Sequence, residues 1–209
     1  MRITLIAVCL LLGGCGSKND NPKVRIGNAG TGLQMWSLPL SMANTLGYYK
    51  EEGVDVELEN LGSSPKMMQA LLGGSIDVAG LGYIQNIQIA AEGRHVRSFF
   101  ISTWRSSNVL VVAPAATARI RRAEKFKGAV LGVFSTGSVP HLWANRYLAV
   151  HGVSNSDFST VGIGFGASAI VAMETGRVNA ASMVGGDHFH LLRRHPDLRI
   201  LIDASTEHC

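Results

Sequence analysis

The sequence predicts an α/β fold built from two lobes, each with a parallel sheet flanked by helices. Short apolar segments of strand length alternate with segments of helix length from residue 24 to residue 202, a pattern typical of βαβ units. The alternation is interrupted at Pro114-Ala115-Ala116-Thr117 and then begins again. We therefore expect lobe one at 23–107 and lobe two at 108–209.

In the first lobe, two local patterns carry the strongest predictions. Apolar and acidic residues alternate strictly from Val54 to Glu59, as on a strand with one buried face. Ser63 and Ser64 precede Pro65, a combination typical of the start of a capped helix. The predicted strands are 24–26, 54–59, 76–79 and 96–103, and the predicted helices are 39–51, 65–72 and 84–91.

The second lobe repeats a motif of the first, Gly-x-Ile/Val-Asp/Asn-x-Ala, which ends a helix and opens a strand. Asp77 and Asn179 occupy the polar position of the two copies. Short acids and amides bond nearby turns, so we interpret both as scaffold residues rather than ligand contacts. The predicted strands are 108–113, 129–134, 158–163, 179–184 and 198–202, and the predicted helices are 121–127, 139–151, 166–175 and 187–194.

The composition excludes several classes of protein. Of the 209 residues, 46% are hydrophobic, 7% aromatic and 16% charged, which suits a chain with a sizeable core and not a disordered chain or a coiled coil. The net charge is +4, but the basic residues between 94 and 127 are spread over several predicted elements. A nucleic-acid site would hold them on one surface with aromatic residues, so we expect no nucleic-acid partner.

The N-terminus resembles the signal of a bacterial lipoprotein. Arg2 precedes an apolar segment at 3–12, whose length is typical of a signal peptide and too short for a membrane span. Leu12-Gly13-Gly14-Cys15 resembles a lipobox, in which the cysteine is acylated and becomes the new N-terminus. This predicts a signal peptide at 1–14, lipid on Cys15, a polar tether at 15–22, and an exported protein anchored to a bacterial membrane, in the periplasm or at the cell surface. An ordinary signal peptide with an incidental cysteine is the alternative.

The cysteines are compatible with that prediction. The chain has three, Cys9, Cys15 and Cys209. Cys9 would leave with the signal peptide and Cys15 would carry lipid, so the mature chain would form no internal disulfide. The sequence contains no Cys-x-x-Cys pair, which excludes a zinc ribbon and a dithiol redox site.

Five segments follow one another in a specific order, although each alone is a weak signal. They are 46–56 (LGYYKEEGVDV), 69–79 (QALLGGSIDVA), 127–138 (beginning KGAVLGV and ending in Gly137-Ser138), 152–162 (from Gly152-Val153 to Val161-Gly162) and 172–180 (AMETGRVNA). Together they resemble the substrate-binding proteins of ABC importers, in the family that takes nitrate, sulfonates, taurine and thiamine-precursor pyrimidines. The resemblance covers about 24–203, and Asn179 stands where the family usually has aspartate.

The resemblance implies a two-lobed, type II periplasmic-binding-protein-like fold and a solute-binding protein, not an enzyme. Such a protein would capture a small polar or anionic ligand between its lobes, as a monomer without a cofactor, and deliver it to an ABC permease. The candidate ligands are an alkyl sulfonate, taurine, nitrate or an aminopyrimidine. The resemblance also implies a C-terminal truncation, because relatives return from lobe two to lobe one; a naturally short variant is the alternative.

The loops that follow the strands are the candidate ligand contacts, because open α/β sheets bind ligands beyond the carboxyl ends of their strands. Serine-rich helix starts offer hydroxyls, amides and the positive end of the helix dipole to an anionic group. Aromatic side chains suit an apolar or planar remainder. The predicted ligand-binding residues are Gln34, Trp36, Ser63, Ser64, Tyr83, Asn86, Ser135, Gly137, Ser138 and Asp187.

Two other functions stay open. An exported sensor or regulatory module would use the same cleft. An enzymatic relative, the fungal pyrimidine synthase, carries a cysteine-rich iron motif, which this sequence lacks. His188 and His190 would point apart on a helix, so we predict no metal site there.

Overall fold

The computed structural model describes residues 22–28 and 37–206. The strands are β1 (Lys23–Asn28), β2 (Asp55–Asn60), β3 (Val78–Ala79), β4 (Val109–Val112), β5 (Val130–Val133), β6 (Ser159–Gly162), β7 (Ala180–Met183) and β8 (Ile200–Asp203). The helices are α1 (Leu38–Thr45), α2 (Tyr48–Glu51), α3 (Ser64–Leu72), α4 (Ile84–Ala91), α5 (Val139–Val150), α6 (Ala167–Glu174) and α7 (Asp187–Arg194).

The strands of the described residues form two sheets. The first has the order β2-β1-β3 and the second the order β6-β5-β7-β4-β8. All pairs are parallel except those of β4, which is antiparallel to both β7 and β8. The predicted α/β class with parallel-dominated sheets is confirmed. We call the described residues up to 107 the N-terminal half and those from 108 onward the C-terminal half.

The two halves repeat one arrangement of strands. In each, the first parallel strand lies between the two that follow it, as β1 does in the order β2-β1-β3 and β5 in the order β6-β5-β7. The repeat extends to one glycine in each central strand. A Cβ on Gly27 would lie 2.5 Å from Ile76 Cδ1, and one on Gly132 would lie 2.6 Å from Ile163 Cδ1. In both sheets the missing side chain leaves room for an isoleucine.

The repeated Asp/Asn position holds neighbouring strands together. Asp77 Oδ2 accepts a hydrogen bond from the Arg25 amide at 2.9 Å, and Asn179 Oδ1 accepts one from the Val130 amide at 2.8 Å. The backbone amides of Asp77 and Asn179 in turn donate to the carbonyls of Arg25 and Val130. Both side chains therefore have the scaffold role expected from the sequence, but they bond the adjacent strand rather than their own turn.

The C-terminal half contains the large core. All four residues of β4 and all four of β7 are buried, because β4 lies between two other strands and the sheet is covered by helices. Phe126 is fully buried and its ring meets that of Phe158 edge to face, with centroids 5.4 Å apart. Every residue of the buried apolar cluster lies between Val109 and Ile202, in the C-terminal half.

Three predicted elements differ from the structure. Residues 96–103 form no strand; Phe99 and Phe100 are exposed, and β-forming residues without a neighbouring strand do not stay extended in a sheet. The helix predicted at 39–51 is two helices, α1 and α2, separated at Gly47, whose φ of +83° suits glycine. The helix predicted at 121–127 is a 3₁₀ turn at Ala123–Phe126.

Some predictions fall outside the described residues. These are the signal peptide at 1–14, almost all of the tether at 15–22, and Cys9, Cys15 and Cys209. In the described part of the chain, every helix is too short or too polar to cross a membrane.

Candidate functional site

The two halves meet where the loops after β2, β3 and β5 approach one another. A side chain on Gly82, in the loop after β3, would overlap Val139 at the start of α5. A Cβ on Gly137 would lie 3.3 Å from Pro65 Cγ at the start of α3. These loops follow parallel strands at their carboxyl ends, which is the edge where open α/β sheets bind ligands. We call this contact zone, formed by residues 63–65, Gly82, Gln85 and 135–141, the interlobe seam.

Gln85 is the buried polar side chain of the seam. It lies in the first turn of α4, is 4% exposed, and its Nε2 donates across the seam to the Gly137 carbonyl at 3.5 Å. Its Oε1 is buried and has no hydrogen-bond partner among the described residues. A buried amide oxygen without a partner is costly in free energy. Gln85 is not among the predicted ligand-binding residues, because α4 carries three polar side chains, Gln85, Asn86 and Gln88, and the sequence does not show which of them is buried.

The loop between β5 and α5 is closed by its own hydrogen bonds. The Ser135 carbonyl accepts from the Ser138 hydroxyl at 2.6 Å and from the Ser138 amide at 3.2 Å, and Ser138 is completely buried. The Ser135 hydroxyl is buried without a partner among the described residues. Gly137 therefore lies at the seam beside Pro65, Ser135 lies at the start of the same loop, and Ser138 is inside the loop.

His141 holds this loop from the first turn of α5. Its Nδ1 accepts a hydrogen bond from the Gly137 amide at 2.9 Å, and burial lowers the pKa of His141, which favours the neutral ring that can accept. Its Nε2 lies 3.1 Å from the side-chain amide of Asn145. With Nδ1 accepting, the proton sits on Nε2, so we assign the oxygen of Asn145 as the atom that faces it. His141 was not predicted from the sequence.

These bonds change what the start of α5 can offer to a ligand. The sequence suggested free backbone amides there, but the amides of Gly137 and Ser138 already have partners within the loop, and Pro140 has no N–H group. Among the described seam residues, the buried side-chain groups without a partner are instead the Gln85 oxygen and the Ser135 hydroxyl.

The predicted serines before α3 have separate positions. Ser63 caps the helix, since its hydroxyl accepts from the Lys66 amide at 3.4 Å. Ser64, the first residue of α3, is buried. Pro65 follows and contacts Gly137, so this helix start lies at the seam.

Asp187 bonds within the C-terminal half. Its carboxylate accepts from the Gly166 amide at 2.8 Å, which ties the start of α7 to the start of α6. The next residue, His188, is buried, and this burial lowers the pKa of its ring although the carboxylates of Asp203 and Asp187 oppose the effect.

Tyr83 and Asn86 lie on a different face of α4 from Gln85. Asn86 Nδ2 donates to Ser98 Oγ, and Tyr83 is largely exposed. Both residues line an open hollow of about 800 Å³ together with apolar side chains that include Ile87, Phe99 and Trp104. The structure therefore does not bring these two predicted residues to the seam.

Two further predicted residues, Gln34 and Trp36, come between β1 and α1 in the sequence and lie outside the described residues. Across residues 22–28 and 37–206, no three His, Cys, Asp or Glu side chains form a group that could hold a metal ion.

Solved structures share this fold. A protein from Bordetella bronchiseptica RB50 is 30% identical, with a TM-score of 0.79 over 88% of this chain and 57% of that protein. The alkanesulfonate-binding protein SsuA from Xanthomonas axonopodis pv. citri, solved with MOPS, is 22% identical, with a TM-score of 0.66 over 88% of this chain and 61% of that protein. The two-lobed, periplasmic-binding-protein-like fold is thus confirmed.

Sequence comparisons agree. YtlA of Bacillus subtilis (strain 168), which is named as a candidate binding protein, is 30% identical over 88 residues, or 42% of this chain and 26% of YtlA. The chain therefore spans about a quarter of YtlA and less than two thirds of the two solved proteins. The family model described as NMT1/THI5 like matches residues 35–204. The chain belongs to the NMT1/THI5 like family.

Proposed function

We propose that this chain is the ligand-capturing part of an exported solute-binding protein that delivers a small polar or anionic ligand to an ABC permease. Membership of the NMT1/THI5 like family and similarity to the sulfonate-binding protein support a solute-binding role. The ligand would lie at the interlobe seam and would be released unchanged.

The observation that carries the proposal is the position of the seam. Loops from both halves meet there at the carboxyl ends of parallel strands, and the buried oxygen of Gln85 and hydroxyl of Ser135 have no partner among the described residues. Unpaired buried polar groups from two sides of one contact are what a small ligand would satisfy on binding. Two halves that close over a ligand also exclude water and present both faces to a permease.

Nothing in the seam supports catalysis. His141 has a structural role there, because its Nδ1 accepts the hydrogen bond from the Gly137 amide. We therefore expect binding without turnover, as the resemblance to substrate-binding proteins implies.

The first experiment is a thermal-shift screen of the purified chain with alkyl sulfonates, taurine, nitrate and aminopyrimidines. We expect at least one class to raise Tm in a concentration-dependent way. Each hit is recovered after incubation and checked by mass spectrometry, where a chemically altered ligand would contradict the binding-protein proposal.

A pair of serine variants tests the location of the site. Ser135→Ala removes the unpaired hydroxyl of the seam, and we expect it to lower the affinity for a ligand found in the screen several-fold. Ser75 is exposed, so Ser75→Ala should leave that affinity unchanged. Equal affinities for Ser135→Ala and the unaltered chain would place the ligand elsewhere.

We further propose that the protein is anchored by lipid on Cys15, as the lipobox resemblance suggests. Cys15→Ser should move the protein from the membrane to the soluble exported fraction. Continued detergent-dependent membrane association of this variant would contradict the proposed anchor.

A further inference from the structure

The orientation of the Gln85 amide limits the chemistry of the ligand. A side-chain amide has one end that donates and one that accepts. The Gly137 carbonyl can only accept, so the Gln85 end that faces it at 3.5 Å must be Nε2. Turning the amide over would set two oxygens against each other. The other end, Oε1, is therefore an acceptor, buried with the residue 4% exposed and unpartnered among the described residues.

Among the described residues, no donor lies within hydrogen-bond distance of Oε1. The nearby loop residue Gly82 has no side chain, and a Cβ on it would lie 3.5 Å from Oε1. On the opposite side of the seam, the amides of Gly137 and Ser138 are held by His141 and Ser135. The remaining unpartnered seam group, the Ser135 hydroxyl, can accept as well as donate.

We propose that the ligand donates an N–H or O–H hydrogen bond to Gln85 Oε1, so that Gln85 selects small polar molecules that carry an amino or hydroxyl group. This inference rests on the proposed function and narrows its ligand class. Taurine and aminopyrimidines carry such donors, whereas nitrate and unsubstituted alkyl sulfonates have only acceptors. A site that accepts a hydrogen bond from its ligand binds an analogue without the donor much more weakly, because the buried acceptor of the protein then stays unpaired.

Matched ligand pairs test the selection without any change to the protein. Isothermal titration calorimetry on the full chain compares taurine with propane-1-sulfonate, which replaces the ammonium group by methyl. A second pair compares 4-amino-2-methylpyrimidine with 2,4-dimethylpyrimidine. Where the amino compound of a pair binds, we expect its affinity to be at least about tenfold higher than that of its methyl analogue. Equal or tighter binding of the methyl member overturns the inference but leaves the proposed function standing.

Variants of Gln85 test whether this side chain is responsible. Gln85→Leu keeps the approximate size but removes the acceptor, and we expect it to abolish the preference for the amino member. Gln88→Leu, on the exposed part of the same helix, is the matched control and should keep the preference. An unchanged preference in a folded Gln85→Leu protein overturns the assignment, and so does an equal loss of affinity for both members of a pair.

The proposed function fails by a different result. If taurine, propane-1-sulfonate, nitrate and both pyrimidines all fail to bind the full chain, the ligand class of the proposed function is wrong. The inference about Gln85 is then wrong as well. If donor-free ligands bind well, the solute-binding role stands and only the role of Gln85 is overturned.

Discussion

The two halves share a strand order and even individual hydrogen bonds, yet they differ in how much they bury. Twenty-six described apolar residues form the buried cluster of the C-terminal half, whereas five are buried in the N-terminal half, Ile26, Met67, Met68, Ile76 and Ile89. The same local pattern therefore gives the same topology in both places. A large core additionally requires neighbours, which β4 and β8 supply in the second sheet.

The N-terminal half shows the complementary feature, a set of large exposed apolar side chains. They surround the hollow beside α4, where Trp104 is 87% exposed and Phe99 80%. Apolar side chains that stay exposed remove little area from water on folding, so this patch contributes little to the free energy of unfolding. We therefore expect most of the stability to reside in the C-terminal half.

The largest expected effect comes from a pair of phenylalanine truncations. Phe126→Ala empties a fully buried position and should lower the free energy of unfolding by about 3–5 kcal/mol. Phe100→Ala, at a position 68% exposed in the N-terminal half, should change it by no more than about 0.5 kcal/mol. Urea denaturation followed by circular dichroism measures both. Similar losses would mean that the two halves are equally well packed.

The second prediction concerns the contact between the halves. Gly82→Ala would force a Cβ against Val139 across the seam, and overpacking of this kind costs about 1–3 kcal/mol. Removing the opposing methyl groups with Val139→Ala should recover part of that loss in the double variant. A double-mutant cycle of unfolding free energies gives the coupling. Strict additivity would show that the halves do not press together at this point in solution.

The third prediction uses the repeated Asp/Asn position. Asn179→Ala leaves the part-buried Val130 amide without its 2.8 Å partner, and a donor left unpaired costs about 1–3 kcal/mol. We place the loss toward the lower end, since Asn179 is itself only half-buried. Asn155→Ala, in an exposed 3₁₀ turn, is the control for denaturation experiments. If Asn179→Ala and Asn155→Ala lower the free energy of unfolding equally, the bond to Val130 does not explain the loss in Asn179→Ala.

The smallest effect is expected at the equivalent position of the N-terminal half. Hydrogen bonds from the Arg25 side chain and backbone lower the pKa of Asp77 to about 2. A lowered pKa in the folded state stabilises the protein above the unfolded pKa of about 3.9, and this contribution disappears as the pH falls through about 2. The difference in stability between the unaltered chain and Asp77→Asn should therefore be greatest above pH 4 and vanish near pH 2.

Arg25→Gln provides the check on that interpretation. It removes the guanidinium that donates to Asp77 Oδ1 and Oδ2 and should flatten the same pH dependence. Both groups are partly exposed, so salt should weaken the effect. A pH profile that is unchanged in Arg25→Gln would assign the dependence to another carboxylate.

Much of the fold was predictable because its signals are local. Helix α7 begins and ends at the residues predicted, and the strands deviate mostly at their ends. The antiparallel direction of β4 was not predicted, since direction depends on distant partners. The absence of a strand at 96–103 has the same origin: the segment has β-forming side chains but no described neighbour to pair with.

The candidate site was less predictable than the fold. The predicted helix starts mark loops at the carboxyl ends of the parallel strands, and one of the predicted residues, Gly137, lies against Pro65 of the other half. Burial within a helix and bonds between turns are not visible in such patterns. Gln85 and His141 are therefore absent from the predicted ligand-binding residues, while Tyr83 and Asn86 lie on another face of their helix.

The antiparallel β4 also sets an order of events during synthesis. Val109 pairs with Asp203, 94 positions further along the chain, and Leu110 pairs with Ser182. At about 5–20 residues per second, the apolar strand VLVV waits about 5–20 s for its second neighbour to be made. Contacts this distant in sequence slow folding, and an unpaired apolar strand is prone to aggregate meanwhile. Residues 109–112 therefore stay unpaired until β7 and β8 have been made, which is the interval in which the nascent chain is most exposed to aggregation.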